Sequence, residues 1–576
     1  MDSESDDDDD LADNFANLVD EFGSSDDSSS DNSGEGSGTS IAAAECQPEE
    51  GEAQPGRQPE PERHEPEEEF VPPAGVMQFA PTHCPWMGII QEEATSLAGA
   101  EGGENGAVAA NSEVYWYAAT RLYLGGGSAR RVLELYGRAA DSRSAEQPPP
   151  QEGEEVRWAH SVAGQRAFYE RLLRHPVAER WPPSPELVAK VAKALVKACS
   201  VDPRAEIYEP LLKAAAVTGT ARCASGSSSG GSSATVVGAA ANEHGHRCFT
   251  FGGPVPGEGG EGGTTIGLLA APSGTISVGG GSETSMALWQ SGLLLADFLL
   301  TSPAAAEILH AVTQVGQVLE LGTGCGTVGI ALAAGLASTL EQDGAATAAA
   351  GRPIEIVMTD NVQDGLLNCA TNCLANGLVV TRVSSTRVGR LEESQRDGAA
   401  AAAGAVKCCV ELLDWAEVGR AGGNGLPNGL ADRPALTLLL GADLVYDPDA
   451  AALLATLVRR WLLADPALDP ARPAGGGGGG GGSMGQDGQA RPRRRREFVL
   501  GTEMRNPQTW AGFLAQITGS APGALMETAA KNGVVVEYEY LAASEKCADG
   551  NAIAQVYIVR FVARLPGQLE RGTASS

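Results

Sequence analysis

Residues 318–336 read Val-Leu-Glu-Leu-Gly-Thr-Gly-Cys-Gly-Thr-Val-Gly-Ile-Ala-Leu-Ala-Ala-Gly-Leu. A short apolar run ends at Leu321, a glycine-rich turn follows, and an apolar helix pattern begins. Gly322, Gly324 and Gly326 lack a Cβ, so the backbone can turn tightly and come close to a ligand. The N–H groups of such a turn and of the helix start attract a carboxylate or a phosphate. The glycines alone also fit a dinucleotide site or a close-packed strand-to-helix turn.

On both sides of this stretch, short apolar strands alternate with amphipathic helices. Strands are expected at 317–321, 354–359, 406–413, 436–440, 497–502, 533–540 and 553–562, with helices at 286–300, 325–336, 363–376, 448–463 and 507–517. That alternation implies an α/β fold with a mostly parallel sheet covered on both faces. No helix separates the last two strands, so they are expected to form an antiparallel hairpin. The outline is the seven-strand Rossmann-like class I methyltransferase fold.

Candidate chemistry sits at the strand ends. Glu320, just before the first glycine, suits the ammonium of a methionine moiety and would repel a pyrophosphate, which favours S-adenosylmethionine over NAD. Asp360 closes the next strand, where an acid can accept from both ribose hydroxyls of an adenosine; it also fits the N-cap of the following helix. Asp414-Trp415 follows the third strand. Trp415 can cover an adenine with Asp414 near its amine, or pack in the core. The fourth strand ends in Gly441-Ala442-Asp443-Leu444-Val445-Tyr446. Asp443 and Tyr446 offer acceptors that could orient an amine nucleophile, although Asp443 also suits a helix cap near Pro448. Trp289 begins the helix before the glycine loop, positioned to close over a cofactor or to pack.

The rest of the chain limits the alternatives. Net charge is −33, and residues 1–70 hold 24 Asp or Glu against Arg57 and Arg63. Residues 1–75 are expected to be a disordered acidic tail; within it Leu11, Phe15, Leu18 and Phe22 recur at helical spacing. An N-terminal helical region is expected over 76–215, a Gly/Ser linker over 216–243, and the methyltransferase domain over 244–566. The acidic balance argues against a nucleic-acid partner. No long uncharged apolar run exists, so no membrane span is expected, and the acidic start is unlike a signal peptide. Eleven scattered cysteines suit free thiols in a reducing, cytoplasmic setting. Cys369 and Cys373 lack a partner pair, so no metal is expected. His310 is the only histidine after residue 250, which argues against a Ser-His-Asp site there. Low-complexity interruptions fall at 337–352, 389–405 and 470–496; the last ends in Arg493 to Arg496, either a nuclear address or a solvated loop edge.

Together, Trp289, the Glu320–Gly326 loop, Asp360, Leu413-Asp414-Trp415 and Gly441–Tyr446 resemble the family 16 methyltransferase-like protein-lysine methyltransferases. Within that family the likeness is nearest to those acting on eukaryotic elongation factor 2. Thr502–Thr509, Leu172–Pro176, Pro182-Pro183-Ser184, and His246-Arg247 with Thr275–Ser277 (a short β segment there) are also similar. The resemblance implies cofactor contacts at Trp289, Gly322, Thr323, Gly324, Asp360, Trp415 and Ala442, with Asp443 and Tyr446 near the lysine. It implies a protein substrate, elongation factor 2, a monomeric enzyme, and helices that shape the substrate groove. Arg505-Asn506-Pro507 stands where a loop would reach that substrate.

Overall fold

Strand β3 (Gln317–Leu321) shows how the sheet is built. Its side chains alternate between faces: Val318 enters one apolar core, Leu319 and Leu321 the other. The computed structural model describes residues 75–83, 108–126, 128–141, 161–200, 206–216, 245–253, 263–270, 282–342, 353–383, 406–420, 426–465, 468, 495–520, 534–545 and 555–565. The acidic tail and the Leu11–Phe22 pattern, residues 217–243 and most of the three low-complexity interruptions lie outside them.

Strands β4 (Ile354–Asp360), β5 (Val379–Val383), β6 (Val406–Leu412), β7 (Leu438–Ala442), β8 (Glu497–Glu503), β9 (Val535–Glu545) and β10 (Gln555–Arg564) complete a sheet of order β5-β6-β4-β3-β7-β8-β10-β9. The first six positions are parallel, and β10 pairs antiparallel with both β8 and β9. Among the described residues the sheet therefore has eight strands, not seven. The additional one, β5, is a short edge strand whose burial is only partial. Its Val-Val-Thr-Arg-Val sequence gives little apolar signal because one side faces solvent.

Helices α8 (Gln290–Thr301), α10 (Thr327–Gln342) and α11 (Gln363–Ala375) pack on the Val318 face, the first preceded by a short turn α7 (Ser282–Met286). On the opposite face lie α14 (Pro448–Leu463) and α15 (Pro507–Thr518). Between α8 and β3 runs α9 (Ala306–Val315); short helices α12 (Glu417–Arg420) and α13 (Asn428–Ala431) lie between β6 and β7. The expected interruption at 337–352 begins later than its composition implied, since α10 continues to Gln342. Arg496 departs from the solvated-edge reading of the arginine run, of which Arg493 and Arg494 lie outside the described residues. It is buried over Trp461, with its backbone N–H on Asp465 at 2.9 Å and Nη1 on the Trp461 carbonyl at 2.7 Å.

The N-terminal helices α1 (Val108–Leu124), α2 (Ala129–Asp141), α3 (Val162–Phe168), α4 (Pro176–Arg180), α5 (Pro185–Cys199) and α6 (Glu209–Ala216) share a third core around Tyr123, Leu135, Phe168 and Leu195. A small hairpin, β1 (His246–Phe251) with β2 (Thr264–Leu269), joins this core to the sheet. Thr264–Leu269 is the strand opposite His246 and Arg247; Thr275–Ser277 lie outside the described residues. Trp181 lies against Gly267 of β2, and its Nε1 donates to the Ala375 carbonyl at the end of α11, 3.1 Å away. Residues 77–79 run parallel to β9, with Phe79 N–H on the Ala543 carbonyl at 2.8 Å, and so cover that strand's outer edge at Ala543. Among the described residues no single helix is long and apolar enough to cross a membrane.

Candidate active site

The sheet changes winding direction at β3, which lies between β4 and β7, and ligands in open α/β sheets bind beyond the strand ends at such a point. There the structure opens a cavity of about 240 Å³. It is lined by Trp289, Glu320, Gly322, Thr323, Gly324, Asp360, Trp415, Ala442, Asp443 and Tyr446, all singled out from the sequence, but not by Gly326.

The glycine loop is shaped by backbone geometry and close approach. Gly322 and Gly324 have φ of 58° and 53°, in the left-handed region. A Cβ at Gly322 would lie 2.5 Å from Leu444 Cδ2, and one at Gly324 would lie 3.0 Å from the Ser285 carbonyl. The N–H groups of the turn meet acceptors of the protein itself, a carboxylate among them. Thr323 N–H donates to the Thr359 carbonyl at 2.8 Å, Gly324 N–H to Asp360 Oδ2 at 3.0 Å, and Gly326 N–H to the Thr323 carbonyl at 2.9 Å.

Glu320 is buried on the Val318 face, under α10, as strand alternation requires. Its Oε2 accepts from the Thr323 hydroxyl at 2.7 Å and from Gly329 N–H at 3.0 Å. Burial pushes its carboxyl up to about 7 against these hydrogen bonds, and the nearby Asp360 adds to the rise. The acid therefore braces the loop as well as facing the cavity. Asp360 is also raised, by burial opposed by hydrogen bonds from Gly324 and Val362. Its Oδ1 accepts from Val362 N–H at 3.0 Å. It does not cap α11: that position belongs to Val362, which makes no side-chain capping bond.

Trp415 sits half-buried beside Gly322, with Cζ2 3.6 Å from where a Cβ would stand there, so the ring both packs in the core and walls the cavity. Asp414 Oδ1 is engaged by Ala416 N–H at 2.9 Å. Trp289 stands at the N-cap position of α8, and its Nε1 donates to the Thr284 carbonyl at 3.2 Å.

Past the end of β7, Asp443 has φ 55°, the single positive value at a non-glycine among the described residues. Its N–H bonds the Gly501 carbonyl of β8 at 2.8 Å. The cap of α14 is Asp447, which accepts from Ala450 N–H at 2.8 Å; Asp443 does not serve as a cap. Tyr446 is 52% exposed at the cavity mouth. Partial burial and the charges of Asp447, Asp360 and Asp443 raise its phenol, which keeps it protonated.

Arg505 belongs to the loop that the resemblance places toward a protein substrate. The structure turns it inward: Nη2 donates to Asp443 Oδ2 at 2.6 Å and to Glu503 Oε2 at 3.0 Å, and the guanidinium lies 4.7 Å from the Trp289 ring centre. Sequence reasoning also missed Asn372 on α11, whose amide donates to the Cys325 carbonyl inside the glycine loop at 2.9 Å. Polar residues on a buried helix face were the available signal.

The mostly parallel α/β sheet and this cavity fit a Rossmann-like methyltransferase domain. Residues 274–387 match a family model described as lysine methyltransferase. The matched span takes in Trp289, the glycine loop and Asp360, and ends before Trp415, Asp443, Tyr446 and Arg505. No curated protein matches the chain.

Proposed function

We propose that the chain is a protein-lysine N-methyltransferase that uses S-adenosylmethionine, with elongation factor 2 as its substrate. The observation that carries this reading is the convergence of ten residues from β3, β4, β7 and the turns beside α8 and β6 on one cavity. The donor set suits the cofactor. Each carboxylate oxygen has two lone pairs, so Asp360 can keep its loop bonds and still accept from ribose hydroxyls. Trp415 offers an aromatic wall for adenine, and Glu320 an acid for the methionine ammonium. Gly322, Thr323, Gly324, Ala442 and Trp289 would complete the cradle.

When bound, S-adenosylmethionine supplies an electrophilic methyl group on a positively charged sulfur. The protein's part is to hold a neutral amine in line and keep water away. The acceptor nitrogen must shed a proton before or as it gains the methyl; Asp443, with Tyr446 at the mouth, is placed to orient it. The N-terminal helices would shape the groove for a large substrate, and the enzyme would act as a monomer in the cytoplasm.

The test is incubation with labelled S-adenosylmethionine and purified elongation factor 2, and separately with a cell lysate. Methyl-lysine on elongation factor 2 is the expected product. Label on another protein would replace the substrate and keep the chemistry. Cofactor binding without any transfer would favour a non-catalytic scaffold.

A further inference from the structure

The three groups around the Arg505 guanidinium are held more firmly than the arginine itself. The side chains of Asp443 and Glu503 are 6% and 7% exposed, whereas that of Arg505 is 36% exposed. Asp443 is locked by its left-handed backbone and its bond to Gly501. Glu503 ends β8, paired with Val556 of β10. Trp289 is pinned through Nε1. Arg505 reaches in from the loop between β8 and α15, on a long side chain that can swing to solvent.

Both carboxylates bond the same nitrogen, Nη2, so they lie close enough that a cation must accompany them. Two buried like charges without one would be strongly unfavourable. A buried carboxylate pair with an aromatic face is a receptor for a positive charge. Exchanging one cation for another leaves its charge balance unchanged, whereas emptying it does not. The exchange is therefore far cheaper than simple removal of the arginine. The cavity of about 240 Å³ also falls below the roughly 300 Å³ usual for ligand sites, and Arg505 is among the side chains that narrow it.

We infer that Arg505 is a resident plug: its guanidinium fills the ammonium subsite formed by Asp443, Glu503 and Trp289, and a primary-amine acceptor enters by displacing it. The inference rests on the methyl-transfer reading of the same cavity and adds Glu503 to the acceptor-binding groups. It also makes the site select for an acceptor that arrives as a cation.

The experiment uses the full chain and n-butylammonium, which has the reach and charge of a lysine side chain, with n-butanol as the neutral control. By calorimetry, Arg505→Ala should bind n-butylammonium at least tenfold more tightly than the unaltered protein. n-Butanol should show no such gain, and adding Asp443→Asn should erase it. A gain below twofold, or an equal gain for n-butanol, overturns the inference. A second measurement needs no variant. n-Butylammonium should speed phenylglyoxal modification of Arg505, followed by mass spectrometry, at least fivefold; an unchanged or slower rate overturns it. Neither readout involves a methyl donor. Amine-driven release of Arg505 without S-adenosylmethionine binding would sink the proposed function alone, and methyl transfer without that release would sink the plug alone.

Discussion

His83 and Asp297, 214 residues apart, form a sealed pair: Nδ1 lies 2.7 Å from Oδ2, with side chains 1% and 0% exposed. The His83 backbone N–H and the Thr82 hydroxyl also donate to this carboxylate, at 2.9 and 2.6 Å. Asp297 belongs to α8, the helix that begins beside Trp289, so the pair ties the segment along β9 to the helix flanking the cavity. Burial raises the Asp297 carboxyl, but the bonds from His83 and Thr82 and the His83 charge more than offset it, leaving it below its ordinary value. A folded value below the unfolded one contributes stability that is present above about pH 4 and lost as pH falls through the folded value. Asp297→Ala should cost about 3–5 kcal/mol, the usual loss when one partner of a buried pair is removed. Denaturant melts from pH 7 to pH 3 should show the cost shrinking as the unaltered protein loses this contribution.

Glu320 has the opposite sign. Its folded carboxyl is raised from 4.5 to about 7, so its contribution is intact below the unfolded value and is lost as pH rises through about 7. Glu320→Gln keeps the shape and an acceptor for Gly329 without a buried charge. At pH 8 it should equal or exceed the unaltered protein in stability, by up to roughly 3 kcal/mol; at pH 4 the advantage should vanish. S-adenosylmethionine affinity separates the two roles. If Glu320 holds the methionine ammonium, affinity drops about tenfold in the variant and rises from pH 6 to pH 8 in the unaltered protein. Unchanged affinity would confine Glu320 to bracing the loop.

Much of this was legible in the sequence where the signal is local. β3 spans Gln317–Leu321 as its apolar run implies, and α14 starts at Pro448, one residue after its Asp447 cap. The direction of Glu320 follows from alternation with Val318. β5 was hidden because an edge strand with Thr381 and Arg382 carries little apolar pattern. Strand β7 runs two residues later than its apolar run, to Ala442, which leaves Asp443 as the first residue past the strand, at positive φ. The His83–Asp297 pair and the inward turn of Arg505 depend on chain segments meeting in space, and no spacing rule reveals them. The sequence marks Arg505 only by its place on a loop.

Asn368, Asn372 and Asn376 recur every four residues along one side of α11 and its end, and they stitch it to β2. Asn372 Oδ1 accepts from Leu269 N–H at 2.7 Å while its amide donates to the Leu269 and Cys325 carbonyls at 3.2 and 2.9 Å. Asn376 does the same for the N–H and carbonyl of Gly267, at 2.9 and 2.7 Å. Asn372 is fully buried, so Asn372→Ala strands backbone groups away from water, at a cost of roughly 2–3 kcal/mol. Asn372→Asp should cost more, because a carboxylate accepts from Leu269 N–H but repels both carbonyls. Chemical denaturation of the two variants checks the order; an Asp variant as stable as the parent would contradict this hydrogen-bond assignment.

Asp443 can be dissected by three replacements because its backbone and its carboxylate do different jobs. Asparagine tolerates the left-handed conformation and keeps the shape, so Asp443→Asn should fold and bind S-adenosylmethionine nearly as well as the parent. It loses the charge that pairs with Arg505 and would face the acceptor amine, and methyl transfer should fall by about 100-fold or more. Glycine and alanine both delete the carboxylate, but glycine accepts a φ of 55° and alanine does so only under strain. Asp443→Gly should therefore be more stable than Asp443→Ala by about 1 kcal/mol, with both inactive. Melting temperatures, cofactor titration and labelled-methyl transfer on the three variants separate these effects. Full turnover in Asp443→Asn would remove the carboxylate from the reaction and leave Asp443 only as the turn that closes β7 against β8.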